Sequence, residues 1–211
     1  METKDKIKLT IFRLLQEKGY NNTTYQEIAN LSGFEKTLIQ YHFPKKNMFM
    51  TFYIENLVSK IVDYLNKNIP ELKSKELEFI ISSKIYSKIL LHEHLLTNIT
   101  IPILQDRDLL TKIQNSHEKT VLSILDVKED KKDEFLYLLR FAQGGYFDIM
   151  YRSIIENKKF DIDKNIKLMI SIISNTINLD DEKIYNRSYN SLLYEDKIND
   201  SVNKIINMLG V

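Results

Sequence analysis

Between Tyr20 and Lys46 the chain reads YNNTTYQEIANLSGFEKTLIQYHFPKK. Within it Lys36, Thr37, Gln40 and Tyr41 fall on the outward side of one short helical pattern. These side chains suit a polyanion with readable edges. Lysine neutralises phosphate or reaches guanine acceptors, glutamine pairs with adenine in a bidentate way, and threonine meets a base edge or a thymine methyl. Tyrosine and threonine hydroxyls commonly bond phosphate oxygens. Lys45 and Lys46 open the next helix, where free backbone amides also attract phosphate.

Two short helices must position these groups. Thr24 is a candidate N-cap and Glu27 follows three residues later, a capping box. Ile28, Ala29 and Leu31 are expected to supply a small buried face. Gly33 ends this helix, because glycine accepts a left-handed backbone at little cost. The second helix is expected over about Glu35 to His42, with Phe34 and Leu38 or Ile39 as its anchors. Two short helices joined by a glycine turn are a helix-turn-helix signature, which lays its second helix in the DNA major groove.

With its spacing included, the segment Ile7 to Phe49 resembles the N-terminal domain of TetR-family transcriptional regulators. The resemblance rests on Glu17-Lys18-Gly19-Tyr20, Thr23-Thr24-Tyr25, Ile28-Ala29, Ser32-Gly33-Phe34, Tyr41-His42-Phe43 and Lys46, in order and without a gap. The family usually has a tyrosine at the place of Gln40, a threonine or serine at Leu38 and a small residue at Thr37. Thr10-Ile11 replaces its alanine pair and Glu35 its capping serine. The missing tyrosine is normally a phosphate contact, so the departures bear on the operator and not on the fold.

The resemblance implies an all-α protein, with a three-helix DNA-binding domain at 1–46 and a larger helical effector-binding and dimerisation domain at 47–211. It implies a homodimer, most simply a repressor, on a near-palindromic operator in double-stranded DNA, with recognition helices about 34–36 Å apart. Lys36, Thr37, Gln40 and Tyr41 would read or position on DNA, and Thr24, Tyr25, His42, Lys45 and Lys46 would hold phosphates. A small-molecule effector would release it. The alternative keeps the fold as an adaptor whose C-terminal domain binds a protein partner.

Composition sets outer limits. The 211 residues include 5 Gly, 3 Pro and no Cys, which favours helices and excludes disulfides and thiolate chemistry. Net charge is +1. Residues 1–50 carry eight Lys and Arg against five Asp and Glu, a mild polarity compatible with salt-sensitive DNA binding. The charged N-terminus and the lack of about 18 consecutive apolar residues predict a cytoplasmic protein without a membrane span.

No catalytic constellation, cofactor motif or metal site is expected. His92 and His94 are two apart, so on one helix they diverge. Asp106-Arg107-Asp108 reads as a solvated loop.

Apolar periodicity predicts helices at about Thr3–Lys18, Lys45–Asn68, Ser74–Asn98 with a break at Ile101-Pro102, two shorter ones over 103–126, then Asp130–Asn157, Asp163–Asn178 and Ser188–Leu209. The pair near 130–157 and 163–178 is wide-faced, either central core or a four-helix dimer interface. Gly144-Gly145 costs roughly 1 kcal/mol per glycine against alanine, which points to a close helix crossing or a pocket wall. Tyr86, Ile89, Leu90, Gln105, Phe141, Tyr146 and Met150 are candidates to line a ligand pocket, or are plain core. The last helix packs on the body or presents a partner-binding face.

Overall fold

A computed structural model describes residues 3–70, 72, 74–125, 127–177, 191 and 193–209. They form helices joined by turns and loops, and include no strand. In chain order the helices are α1 (Thr3–Asn22), α2 (Tyr25–Ser32), α3 (Lys36–His42), α4 (Asn47–Asn68), α5 (Lys75–Leu90), α6 (Glu93–Leu95), α7 (Ile101–Gln105), α8 (Arg107–Ile124), α9 (Lys132–Ile155), α10 (Ile162–Ile173) and α11 (Glu195–Leu209). A single π-helical turn, Leu96–Thr100, joins α6 to α7.

Helices α1 to α3 form the head. Ile7, Ile11, Leu14 and Leu15 are fully buried along one face of α1. Thr24 caps α2 through a complete capping box with Glu27, and Gly33 ends it in the left-handed region at φ 73°. Leu31 does not join the buried face and is 58% exposed. The inner seam of α2 is Tyr25, Ile28, Ala29 and Ser32, and Leu31 lies about a third of a turn off it. In α3 the sole fully buried anchor is Ile39, followed by Phe43 at the exit.

The head is fastened to the body twice. Helix α4 leaves it covalently, burying Phe49, Met50, Tyr53, Ile54, Leu57 and Ile61. The end of α1 packs on the π-helical turn. There Gly19 adopts φ 79°, and a Cβ at that position would approach Asn98 Oδ1 to 2.8 Å. Asn98 Nδ2 donates to the Gln16 carbonyl at 2.7 Å. Glycine is required at 19 both for its backbone angle and for this close approach.

The body is built around α5, which packs against α4, α8, α10 and α11. One continuous apolar core runs from Ile7 to Leu209. Helix α11 packs on α5 and α4 through Ile198, Val202, Ile205 and Leu209. The expected start of that helix, 188–190, and Leu192 lie outside the described residues, as does Asn178.

Two local expectations are corrected. The chain breaks at Leu91–His92, not at Ile101-Pro102. Pro102 sits in the first turn of α7, where its missing N–H has no intrahelical partner to lose. The Asp106 carboxylate accepts the Leu109 N–H at 3.0 Å and so caps α8. It is not a free loop residue.

Lys84 is the one lysine of α5 carried deep into the body, its side chain 1% exposed. Its Nζ lies 2.6 Å from Asp163 in α10, 3.4 Å from Glu195 in α11, and 3.3 Å from the Ser191 hydroxyl. Three segments distant in sequence thus meet on one ammonium.

Candidate nucleic-acid interface and ligand cavity

The outer face of α3 presents Lys36, Thr37 and Gln40, all exposed, with Tyr41 78% exposed and packed edge-on against half-buried His42. Their spacing of three and four residues puts them on neighbouring turns. The helix is held from behind. The Tyr25 hydroxyl donates to the Phe43 carbonyl at 2.7 Å, and Tyr25, Phe43, Phe49 and Phe52 form edge-to-face contacts. Lys18 pairs with Glu27 at 2.5 Å, tying α1 to α2. The outer face of α3 is therefore held on a braced helix, not on a loop.

The remaining residues expected to meet phosphate divide in two. Lys45 is exposed. Thr24 is engaged as the cap of α2, Tyr25 in the bond to Phe43, and Lys46 donates to the Asn21 carbonyl at 3.0 Å while lying over the Tyr20 ring. Partial burial lowers the Lys46 pKa, which Glu27 partly offsets. These three groups brace the head through bonds within the chain.

A separate cavity of about 90 Å³ opens in the body. Its walls are Val58, Ile61 and Val62 of α4; Phe79, Ser82, Ser83, Tyr86 and Ser87 of α5; His117, Thr120, Val121 and Ile124 of α8; Gln143, Tyr146 and Phe147 of α9; and Met169 of α10. That is room for on the order of half a dozen water centres. The pattern is that of a ligand site: an apolar lining with a few convergent polar groups.

The polar groups are in unequal states. Tyr146 and Ser87 share a short hydroxyl bond of 2.5 Å. Burial raises the pKa of Tyr86 and Tyr146, so both phenols stay protonated. Tyr86 meets the His117 ring edge-on at 4.9 Å. Burial also pushes the His117 imidazole down to about 4. His117 Nε2 and Gln143 Oε1 are buried without a hydrogen-bond partner, although buried polar atoms are almost always paired.

Of the seven residues expected to line a pocket, Tyr86 and Tyr146 do. Ile89, Leu90 and Met150 are buried elsewhere in the core. Gln105 donates to the Tyr151 hydroxyl at 3.3 Å, and Phe141 is 67% exposed on the outer face of α9. The sequence reading missed Gln143 and His117. A glutamine beside Ala142 on the apolar seam of α9 was the available signal.

His92 and His94 do not diverge. His92 is an extended residue ahead of α6, so the two rings stack at 5.3 Å. No group of three or more metal-ligating side chains occurs among the described residues. No helix among them is long and apolar enough to cross a membrane.

Comparison with known proteins agrees with this geometry. The pattern of the N-terminal domain of the bacterial regulatory proteins of the tetR family matches residues 10–49. The biofilm operon icaADBC HTH-type negative transcriptional regulator IcaR of Staphylococcus epidermidis is 32% identical over 65 residues, 31% of this chain and 35% of that relative. The chain thus matches about a third of the length of that curated relative. A TetR transcriptional regulator from Rhodococcus sp. RHA1 superposes with a TM-score of 0.59 at 13% identity, over 84% of this chain and 97% of that one. The multidrug binding protein EbrR, complexed with ethidium, gives 0.53 at 12% identity over 82% and 99%. At those identities the structural likeness speaks for the fold. Residues 10–49 thus match the N-terminal domain of the tetR family of bacterial regulatory proteins, a helix-turn-helix head, and the all-helical architecture around them is that of a TetR-type regulator in fold.

Proposed function

We propose that the protein is a homodimeric repressor that grips a near-palindromic operator and lets go when a small molecule fills the body cavity. The observation that carries the DNA half is the outward row Lys36, Thr37, Gln40 and Tyr41 on α3, anchored from behind by fully buried Ile39. Lys45 extends the row toward phosphate, and His42 flanks it. The negative regulator IcaR supports the sign of the response, and ethidium bound to EbrR supports a small ligand over a protein partner. The two unpartnered polar atoms in the cavity favour the same choice. A regulator of this kind works beside the chromosome, in the cytoplasm.

Fluorescence anisotropy with DNA from upstream of the protein's own gene tests this reading. Tight binding to one segment, far above scrambled DNA and weakening as salt rises, is expected. Gln40→Ala should relax preference at one base pair per half-site by a factor of roughly 5 to 150, the worth of one bidentate contact. Lys45→Ala should weaken all sequences alike and lower the salt slope by about one. An unchanged base preference in Gln40→Ala would remove glutamine from the reading row.

The dimer is supported by an unpartnered apolar surface. Tyr137, Phe141 and Ile149 of α9 and Leu168 of α10 are exposed. Gly144 and Gly145 have open space where a Cβ would stand, so the close crossing expected of this pair is not made among the described residues. A second copy of α9 and α10 would supply it. Phe141→Asp should weaken self-association by at least roughly thirtyfold, the ~2 kcal/mol of an interface hot spot. Sedimentation analysis reads this directly. A wild-type monomer at micromolar concentration would overturn the dimer, and a variant still fully dimeric would move the interface elsewhere.

A further inference from the structure

We infer that the body cavity is built for an uncharged ligand, an apolar chain or ring ending in one group that both donates and accepts hydrogen bonds, such as a carboxamide or a hydroxyl. This rests on the cavity being the effector site. No Asp, Glu, Lys or Arg lines it. An ion buried there would face no counter-charge, and desolvating an unpaired ion costs far more than desolvating a neutral polar group. The imidazole of His117 does not supply a charge, because burial keeps it neutral at pH 7.

The demand for a polar end comes from two atoms. Gln143 is 6% exposed, and its Oε1 needs a donor; His117 Nε2 on the facing helix also lacks a partner. Two of the cavity's hydroxyls are engaged within the protein, Ser82 with the Phe79 carbonyl and Ser87 with the Ser83 carbonyl and Tyr146; Ser83, Tyr86 and Thr120 add neutral hydroxyls to the wall. The rest of the lining includes Val58, Ile61, Phe79, Val121, Phe147 and Met169, which offer only apolar surface. A single amphoteric end group placed between α8 and α9 meets both orphaned atoms, and the rest of the molecule fills the apolar end.

The test uses the full chain at pH 7 and four probes of equal length: octanamide, 1-octanol, octylammonium and octanoate. Isothermal titration measures binding, and anisotropy with bound operator DNA measures release. Octanamide and 1-octanol should bind at least tenfold more tightly than either ion. Gln143→Met, close in volume, should weaken octanamide by roughly tenfold with an unfolding midpoint equal to or above that of the wild type. Octylammonium or octanoate binding as tightly as octanamide would overturn the neutral class while leaving a ligand site. Neutral probes that bind without releasing operator would uphold the class and remove the effector role. No heat from any of the four would leave water as the occupant and overturn both.

Discussion

Neutralising both carboxylates that face Lys84, in Asp163→Asn/Glu195→Gln, lowers stability by roughly 3–5 kcal/mol, the usual consequence of leaving a buried charge without a partner. The asymmetry of the cluster sets this direction. The ammonium is the buried member, whereas Asp163 and Glu195 keep about half and a third of their side-chain surface in solvent. Glu195 also holds Lys88 at 2.6 Å. Burial alone would raise its pKa, but hydrogen bonds and charge from Lys88 and Lys84 outweigh that and keep the carboxyl below its usual range. Lys84→Met, by contrast, removes the buried charge and keeps most of the volume, so it should cost about 1 kcal/mol or less. Urea unfolding of the two variants decides the matter. If the double neutralisation is the milder one, Lys84 is hydrated or uncharged and does not bind α10 and α11 through its charge.

The second large effect is acid lability through His117. Its folded pKa is about 4 against an ordinary 6.5, and the cause is burial. The unfolded chain therefore takes up a proton before the folded protein does. Stability is full above about pH 6.5 and falls as pH drops toward 4, since the state that binds more protons gains. Between pH 7 and pH 5 this one group removes about 2 kcal/mol. His117→Gln should flatten that part of the curve relative to the wild type, whatever other groups titrate alongside. Equal acid slopes in the two proteins would mean that the ring is already protonated or hydrated in the fold.

What could be read from the sequence was what local chemistry decides. Thr24, Glu27 and Gly33 act within four residues of themselves, so the start and stop of α2 were legible. Ile7, Ile11, Leu14 and Leu15 announced their face by period. Leu31 misled because an eight-residue helix has one narrow seam, and apolar character alone does not say which side of it a residue takes. Pro102 was ambiguous for a physical reason: the same missing N–H that breaks a helix interior is harmless in a first turn. The stacking of His92 on His94 follows from a chain break ten residues before the visible proline. Gln143 and His117 were illegible because their meaning arises only when α8 and α9 face each other, 26 residues apart in sequence. The open flank of Gly144 and Gly145 was likewise readable as an anomaly but not as a surface.

The seam between α1 and the π-helical turn bears on exchanging parts among related regulators. A head cut after residue 46 and joined to another body would carry Gln16 and Gly19 with it and leave Asn98 behind. Such a graft would keep its covalent hinge and its α3 face. It would lose the second fastening and lean on α4 alone. A successful exchange has to move the donor's turn together with the donor's head, which makes the transferable unit discontinuous in the gene: roughly the first 46 codons plus a five-codon patch some fifty codons further on.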